Sequence, residues 1–356
     1  MDWYVGSNFN NPIILLVWGL AFLVILLVIY CFWLRLIYNL KEKKRKKIFL
    51  IWEEMIFEYL DRKKTPSEIV ESMSKSEYNY FLDFLENYLI TIKGEDLERI
   101  AALITKTKLF FYLIDNLKRG SKQKRKLAAH FLGLARAGKS KEFLEEGLND
   151  RDDSVAYNCA LALAKLGAID IVNDILIQYR QRKKYSSDLL LNVLFDFGNN
   201  ICPPLLQQLE EEKDEFLCIL IIDVLGYYRY YSAGEKILDF LNKSTNRELR
   251  IHCLKAIGRM EYIEALPAIR KCLDEHDWVI RSQAIQSIGK IGDVSVEKKL
   301  IENLYCENWW VRYRAAEALF NLSESGKKIL EKVVDQSKDK KATIAAQIVL
   351  TEKAMV

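Results

Sequence analysis

The chain has 356 residues, half of them apolar and 29% charged, with only 15 Gly and 5 Pro. That is too apolar for a disordered chain and too poor in turn formers for an all-β protein, so an all-α fold is expected. The net charge of +4 is unevenly placed. Residues 35–64 hold ten Lys or Arg against five Asp or Glu, leaving about −1 elsewhere, which argues against the broad basic face of a nucleic-acid binder.

The first element is Ile13 to Leu34, a run of 22 residues without a charge, opened by Pro12 and closed by Arg35. At about 1.5 Å per residue it spans roughly 33 Å, enough for a bilayer core. Tyr30 and Trp33 fall where an interface belongs. No basic start or small-residue cleavage site accompanies it, so it reads as a retained transmembrane helix over residues 12–38 and not as a signal peptide. The eleven residues before Pro12 contain Asp2 and no Lys or Arg, whereas Lys41, Lys43, Lys44, Arg45, Lys46 and Lys47 crowd the other side. Positive charge stays inside, so a single-pass plasma-membrane protein is expected, with residues 1–11 outside and the rest cytoplasmic. The six basic residues fix this topology and are candidate contacts for anionic lipid headgroups. Seven scattered cysteines without a CxxC pair fit a reducing compartment.

Residues 39–118 combine this basic collar with a helical capping region. Ile48, Trp52, Met55, Ile56 and Tyr59 share one helical face, open to a membrane surface, a partner or the chain's own core. Thr65-Pro66 suits an N-cap with a first-turn proline, and Ser74 with Glu77 suits a capping box before Tyr78.

From residue 119 to 356 the sequence repeats itself. Arg250-Ile-His-Cys-Leu-Lys-Ala-Ile-Gly258, Arg281-Ser-Gln-Ala-Ile-Gln-Ser-Ile-Gly289 and Arg312-Tyr-Arg-Ala-Ala-Glu-Ala-Leu-Phe320 superimpose without gaps. The preceding residues, Leu249, Ile280 and Val311, are spaced by 31, and the register projects to Lys124, Val155, Leu189, Leu217 and Lys341. Each unit reads as a helical hairpin whose first helix carries adjacent small residues (Ala128-Ala129, Cys159-Ala160, Ala315-Ala316), usually with a glycine near its end (Gly133, Gly198, Gly226, Gly258, Gly289), then a short turn. One hairpin cannot bury its apolar face alone; stacked neighbours can. Leu190 and Cys218 replace the arginine between 185 and 243, and Phe320 replaces the glycine, so a different turn is expected after Phe320.

With Asp277-Trp-Val-Ile-Arg281-Ser-Gln-Ala284, Gly289, Asp293 and Trp310-Val-Arg312-Tyr-Arg-Ala-Ala316, this half resembles the HEAT-repeat family, including its short bacterial form related to phycobilin-lyase-type repeats. The resemblance implies an all-α solenoid of about seven to eight hairpins behind a single transmembrane helix. It also implies that the Arg250, Arg281, Arg312 ladder pairs with acids or carbonyls of neighbouring turns, Asp277 and Asp293 being at hand.

Two lookalikes compete with this reading. Gly133-Leu-Ala-Arg-Ala-Gly138-Lys139-Ser140 satisfies the phosphate-loop pattern, with Asp223 as a notional magnesium ligand, but an Ala-rich helix precedes it where a strand is needed. Ser72-Met-Ser-Lys75 matches SxxK in a polar connector. The three histidines stand in different units, so no catalytic, cofactor or metal residues are expected. The candidates for partner binding are Trp278, Trp309, Trp310, Tyr227, Tyr228, Tyr230, Tyr231, Arg250, Arg281 and Arg312, since Trp, Tyr and Arg dominate interface hot spots. The expected function is a membrane-anchored cytoplasmic scaffold or accessory subunit for a protein at the membrane. Its layout resembles subunits that accompany integral glycosyltransferase-type enzymes. The alternatives are a solenoid enzyme, lyase-like or nucleotide-dependent, and an adaptor for a soluble partner.

Overall fold

The computed structural model describes residues 12–182 and 186–354, without the side chains of residues 12–14, 41 and 44. The chain divides into two compact units, Met1–Asp115 and Asn116–Val356.

The first unit is dominated by α1 (Pro12–Leu60), a single helix of 49 residues. After Gly19 it contains neither Gly nor Pro, so nothing interrupts it at the basic collar. Its first half is apolar and fully exposed, and is long and apolar enough to cross a membrane by length and composition. Its last turns bury Trp52, Ile56 and Tyr59. Of the three roles open to that face, packing within its own unit is the one observed. The Trp52 ring meets Phe81 and Phe84 at 5.2 and 5.7 Å between centroids. These phenylalanines belong to α3 (Tyr78–Thr91), which follows α2 (Pro66–Glu71) and precedes α4 (Glu95–Thr105) and α5 (Lys108–Arg119). Thr65 caps α2 in a capping box with Glu68, and Pro66 opens the helix. At Ser74 only half of the expected box forms. Glu77 accepts from the Ser74 amide at 2.9 Å, but the Ser74 hydroxyl donates to that carboxylate, and Glu77 itself is the N-cap of α3.

The second unit is a stack of helical hairpins. Their first, or A, helices are α6 (Lys122–Leu134), α8 (Asp153–Leu166), α10 (Ser187–Asp196), α12 (Glu215–Tyr227), α14 (Arg247–Met260), α16 (Trp278–Ile291), α18 (Trp309–Leu322) and α20 (Lys340–Ala354). The B helices are α7 (Lys141–Leu148), α9 (Val172–Gln181), α11 (Cys202–Glu211), α13 (Gly234–Lys243), α15 (Leu266–Cys272), α17 (Glu297–Leu304) and α19 (Glu324–Gln336). The fold is therefore an all-α solenoid, with seven hairpins and a closing A helix among the described residues. Six A helices start at a side-chain cap. Asp152, Ser186, Asp214, Asn246, Asp277 and Asn308 each accept a backbone amide two or three residues on, which satisfies donors that a helix end leaves orphaned. The markers Val155, Leu217, Leu249, Ile280 and Val311 are each the third residue of an A helix and are buried. In α6, α10 and α20 the projected marker faces outward or half outward, and the next residue (Arg125, Leu190, Ala342) is the buried one.

Gly133, Gly226, Gly258 and Gly289 lie within the A helices near their ends, ahead of the turn as expected, and each faces the next A helix. A Cβ there would lie 2.7 Å from Ala162 Cα, 2.7 Å from Ala256 Cβ, 2.7 Å from Ser287 Oγ and 2.9 Å from Ala318 Cβ, respectively. Helix-to-helix approach is what excludes a side chain. The left-handed turn comes three residues later, at Arg136, Arg229, Glu261 and Gly292, followed by one turn of 3-10 helix into the B helix. Gly198 differs from the other four, because it occupies the left-handed position itself. After α18, where Phe320 replaces the glycine, no left-handed residue occurs; extended Ser323 ends α18 and caps α19 directly.

Candidate docking edges of the solenoid

The arginine ladder sits at the fourth residue of its A helices and braces the stack. Arg281 donates to its own preceding turn at Glu275 O (2.6 Å) and to the next turn at Cys306 Sγ (3.1 Å). Arg312 donates to the carbonyls of Cys306 and Glu307 at 2.7 and 2.8 Å, and Arg250 pairs with Glu275 at 2.5 Å. Asp277 and Asp293 are not its partners. Asp277 is engaged in capping Val279 N and in an ion pair with Arg247, while Asp293 lies beyond the far end of α16 and pairs with Arg270 at 2.8 Å. The ladder has a fourth rung. Arg125 holds Asp150 through Nε and Nη2 at 2.6 and 2.9 Å and donates to Gly120 O at 3.0 Å. It follows the projected marker Lys124 as the other arginines follow theirs, so the register alone points to it. Where the rung is Ala156, Arg182 reaches across to Leu148 O, Asp150 O and Asp153 instead.

The tryptophans open A helices at one edge of the solenoid. Trp278 and Trp310 are 42% and 51% exposed; Trp309 is half-buried, 6.1 Å from Tyr313 and under the Arg312 guanidinium. The Tyr313 hydroxyl donates to Glu352 at 2.8 Å, and this carboxylate together with burial pushes its pKa up to about 12. Phe216 and Tyr305 extend the exposed row along the same edge. Sequence reasoning missed both. Phe216 lies in the irregular part of the repeat, and Tyr305 ends a B helix where no repeat position marks it.

The tyrosines occupy the opposite ends of the A helices, about 20 Å away at 1.5 Å per residue. Tyr227 is the last residue of α12, largely exposed and 4.8 Å from Phe195. Tyr228 is tied inward, its hydroxyl donating to Phe195 O at 3.0 Å. Tyr230 is half-buried; Tyr231 is exposed, donates to Glu264 at 2.8 Å and packs on Tyr262. The candidates therefore form two edges, not one site.

In the collar, Lys43, Lys46 and Lys47 are exposed, and Arg45 stacks over Phe49 at 4.9 Å beside a cavity of about 310 Å³ that Ser74, Ser76 and Tyr80 also line. The side chains of Lys41 and Lys44 lie outside the described residues. The phosphate-loop lookalike runs from the end of helix α6 into a 3-10 turn. Lys139 is exposed, whereas the Ser140 hydroxyl is buried and donates to Ala137 O at 2.6 Å, so no loop of amides surrounds an anion there. Asp223 lies mid-helix in α12 and meets His252 Nδ1 at 2.8 Å. Ser72 ends α2 and donates to Ile69 O. Among the described residues, no three His, Cys, Asp or Glu side chains converge on a metal site.

The HEAT-repeats family profile matches residues 202–289 and 234–320, so the stretch from α11 to α18 is similar to HEAT repeats. No curated protein matches the chain. Among solved structures, Kap121p bound to Pho4p is similar with a TM-score of 0.50 at 12% identity, over 78% of this chain but only 37% of Kap121p. The CpcE–CpcF complex of phycocyanin lyase from a Nostoc species matches 67% of this chain and 92% of its own at 17% identity and TM-score 0.31. Human deoxyhypusine hydroxylase matches 78% of this chain and 98% of its own at 15% identity and TM-score 0.29. At these identities the Kap121p likeness speaks for the HEAT-like solenoid alone.

Proposed function

We propose that this protein is a membrane-anchored scaffold whose cytoplasmic solenoid docks a protein partner at the membrane, as an accessory subunit and not as an enzyme. The observation that carries the reading is the set of exposed aromatic side chains, Phe216, Trp278, Tyr305 and Trp310, at helix ends that share one edge of the packed stack. Large aromatic rings on a preorganised frame lose little entropy on binding and supply most of an interface's energy. Helix α1 supports the anchoring half of the reading, since its apolar side chains are exposed over a span long enough for a bilayer. A tether confines the solenoid to the membrane plane, which raises the effective concentration of a partner there more than of a soluble one. An integral membrane enzyme is the partner class that fits best. The ladder arginines are set aside from this surface, because none is exposed and each donates to neighbouring turns within the stack.

Alkaline extraction and impermeant-thiol labelling test the anchor. Ser7→Cys is expected to react in intact cells while Cys306, the solenoid cysteine that is not buried, reacts only after lysis. Labelling of the solenoid in intact cells, or release of the chain as a soluble protein, would sink the reading.

A further inference from the structure

Three consecutive A helices carry an outward polar row that neither the core nor the two edges absorb. On α14 it is His252, Lys255 and Arg259; on α16 Gln283, Gln286 and Lys290; on α18 Arg314, Glu317 and Asn321. Carboxylates stand only at its two ends. Asp223 of α12 meets His252 and Lys255 at 2.8 and 3.7 Å, and Glu317 pairs with Arg314 at 2.6 Å. Between them Arg259 and Lys290 form no ion pair among the described residues. Burial, and then the charges of Arg259, Arg314 and Arg229, push the Lys290 ammonium below its usual range. A cleft of about 50 Å³ opens between α16 and α18, walled by Gln286, Lys290, Arg314, Asn321 and Glu317, whose carboxylate Arg314 already holds.

The spacing of this row is set by the close contacts of Gly258 with Ser287 and Gly289 with Ala318. Helices packed through such small residues sit about 8 to 10 Å apart, so Arg259 and Lys290, equivalent residues of adjacent helices, repeat at that distance. A polyproline II strand has three residues per turn and rises about 3.1 Å per residue, which places every third side chain on one face about 9 Å apart. A β-strand offers roughly 7 or 13 Å on one face and fits neither. We propose that the outer face of α14, α16 and α18 binds an acidic protein segment in the polyproline II conformation, with a carboxylate at every third residue. This names the partner chemistry of the scaffold and rests on that reading.

The test uses the full chain in detergent micelles and two fluorescent peptides of equal composition, one with Glu at every third position among prolines, the other with its glutamates contiguous. The periodic peptide is expected to bind about tenfold more tightly than its isomer, with an affinity that falls as salt rises. Arg259→Glu combined with Lys290→Glu should lower that affinity at least about tenfold at unchanged helicity, whereas Lys290→Arg retains it. Equal binding of the two peptides, or binding that survives charge reversal, would overturn the proposal. So would a face that takes up phosphatidylserine vesicles and neither peptide. Partner retention by the charge-reversed chain separates the two ideas: if it is undiminished, the scaffold stands and the acidic-segment site does not.

Discussion

The two glycines of the phosphate-loop lookalike offer a sharp test of the packing account, because the structure gives them opposite surroundings. A Cβ at Gly133 would lie 2.7 Å from Ala162 Cα and 2.8 Å from its Cβ, while at Gly138 it would meet nothing within 4 Å. Apolar carbons rest at roughly 3.5 to 4.0 Å, so α6 and α8 must separate by about 1 Å to admit a methyl group. Overpacking of this kind costs about 1 to 3 kcal/mol, against which a helical Gly→Ala change returns up to about 1 kcal/mol of propensity. Gly133→Ala is therefore expected to destabilise by about 1 kcal/mol, and Gly133→Val, with two further carbons and poorer propensity, by about 3 kcal/mol. Gly138→Ala should stay within about 0.5 kcal/mol of the parent. Urea unfolding followed by far-ultraviolet circular dichroism measures all three. A Gly133→Val chain as stable as the parent, or a Gly138→Ala chain less stable than Gly133→Ala, would refute the reasoning.

Acid should loosen the stack. Arg247 holds the Asp277 carboxyl below its usual range; burial raises those of Asp150 and Asp293, but Arg125 and Arg270, with neighbouring amides, outweigh it. Depressed carboxyls contribute fully above their unfolded value of about 4, and that contribution is lost as pH falls through the folded values. The urea midpoint should accordingly drop below about pH 4, and less steeply in Arg125→Ala; a midpoint insensitive to acid would contradict the pairing. Lys139→Ala is expected to change neither stability nor partner binding, and micromolar ATP binding abolished by that substitution would reverse the assignment of its loop.

The repeat was legible because three successive units keep the same arginine, a small residue (Cys253, Ala284, Ala315) and an apolar marker in register, and side chains that stack on their own copies must repeat with the fold. It blurred at α10, where the buried position moves from Leu189 to Leu190. The glycines were located near the helix ends, but their packing role was not legible. A glycine that admits a neighbouring helix and one that permits a left-handed turn both stand near a helix end, and the true turn residues Arg136, Arg229 and Glu261 carry no sign of their conformation in the sequence. The ladder's acid and carbonyl partners were expected as a class, but Asp277 and Asp293 were the wrong acids, and the Cys306 sulfur has no mark of its role. Exposed Phe216 stayed hidden because its unit lacks the arginine that sets the register elsewhere, and the Arg259–Lys290 row because spaced cations also describe any solvated helix.

The central claim is that an aromatic edge of a tethered solenoid holds a membrane partner, and co-purification from the native membrane in mild detergent tests it most directly. The parent chain is expected to retain an integral membrane protein in fixed proportion. Trp278→Ala with Trp310→Ala, both at exposed positions that leave the core intact, should lose that protein at unchanged helicity. A partner kept undiminished by the double variant, or no membrane protein retained by the parent, would contradict the account.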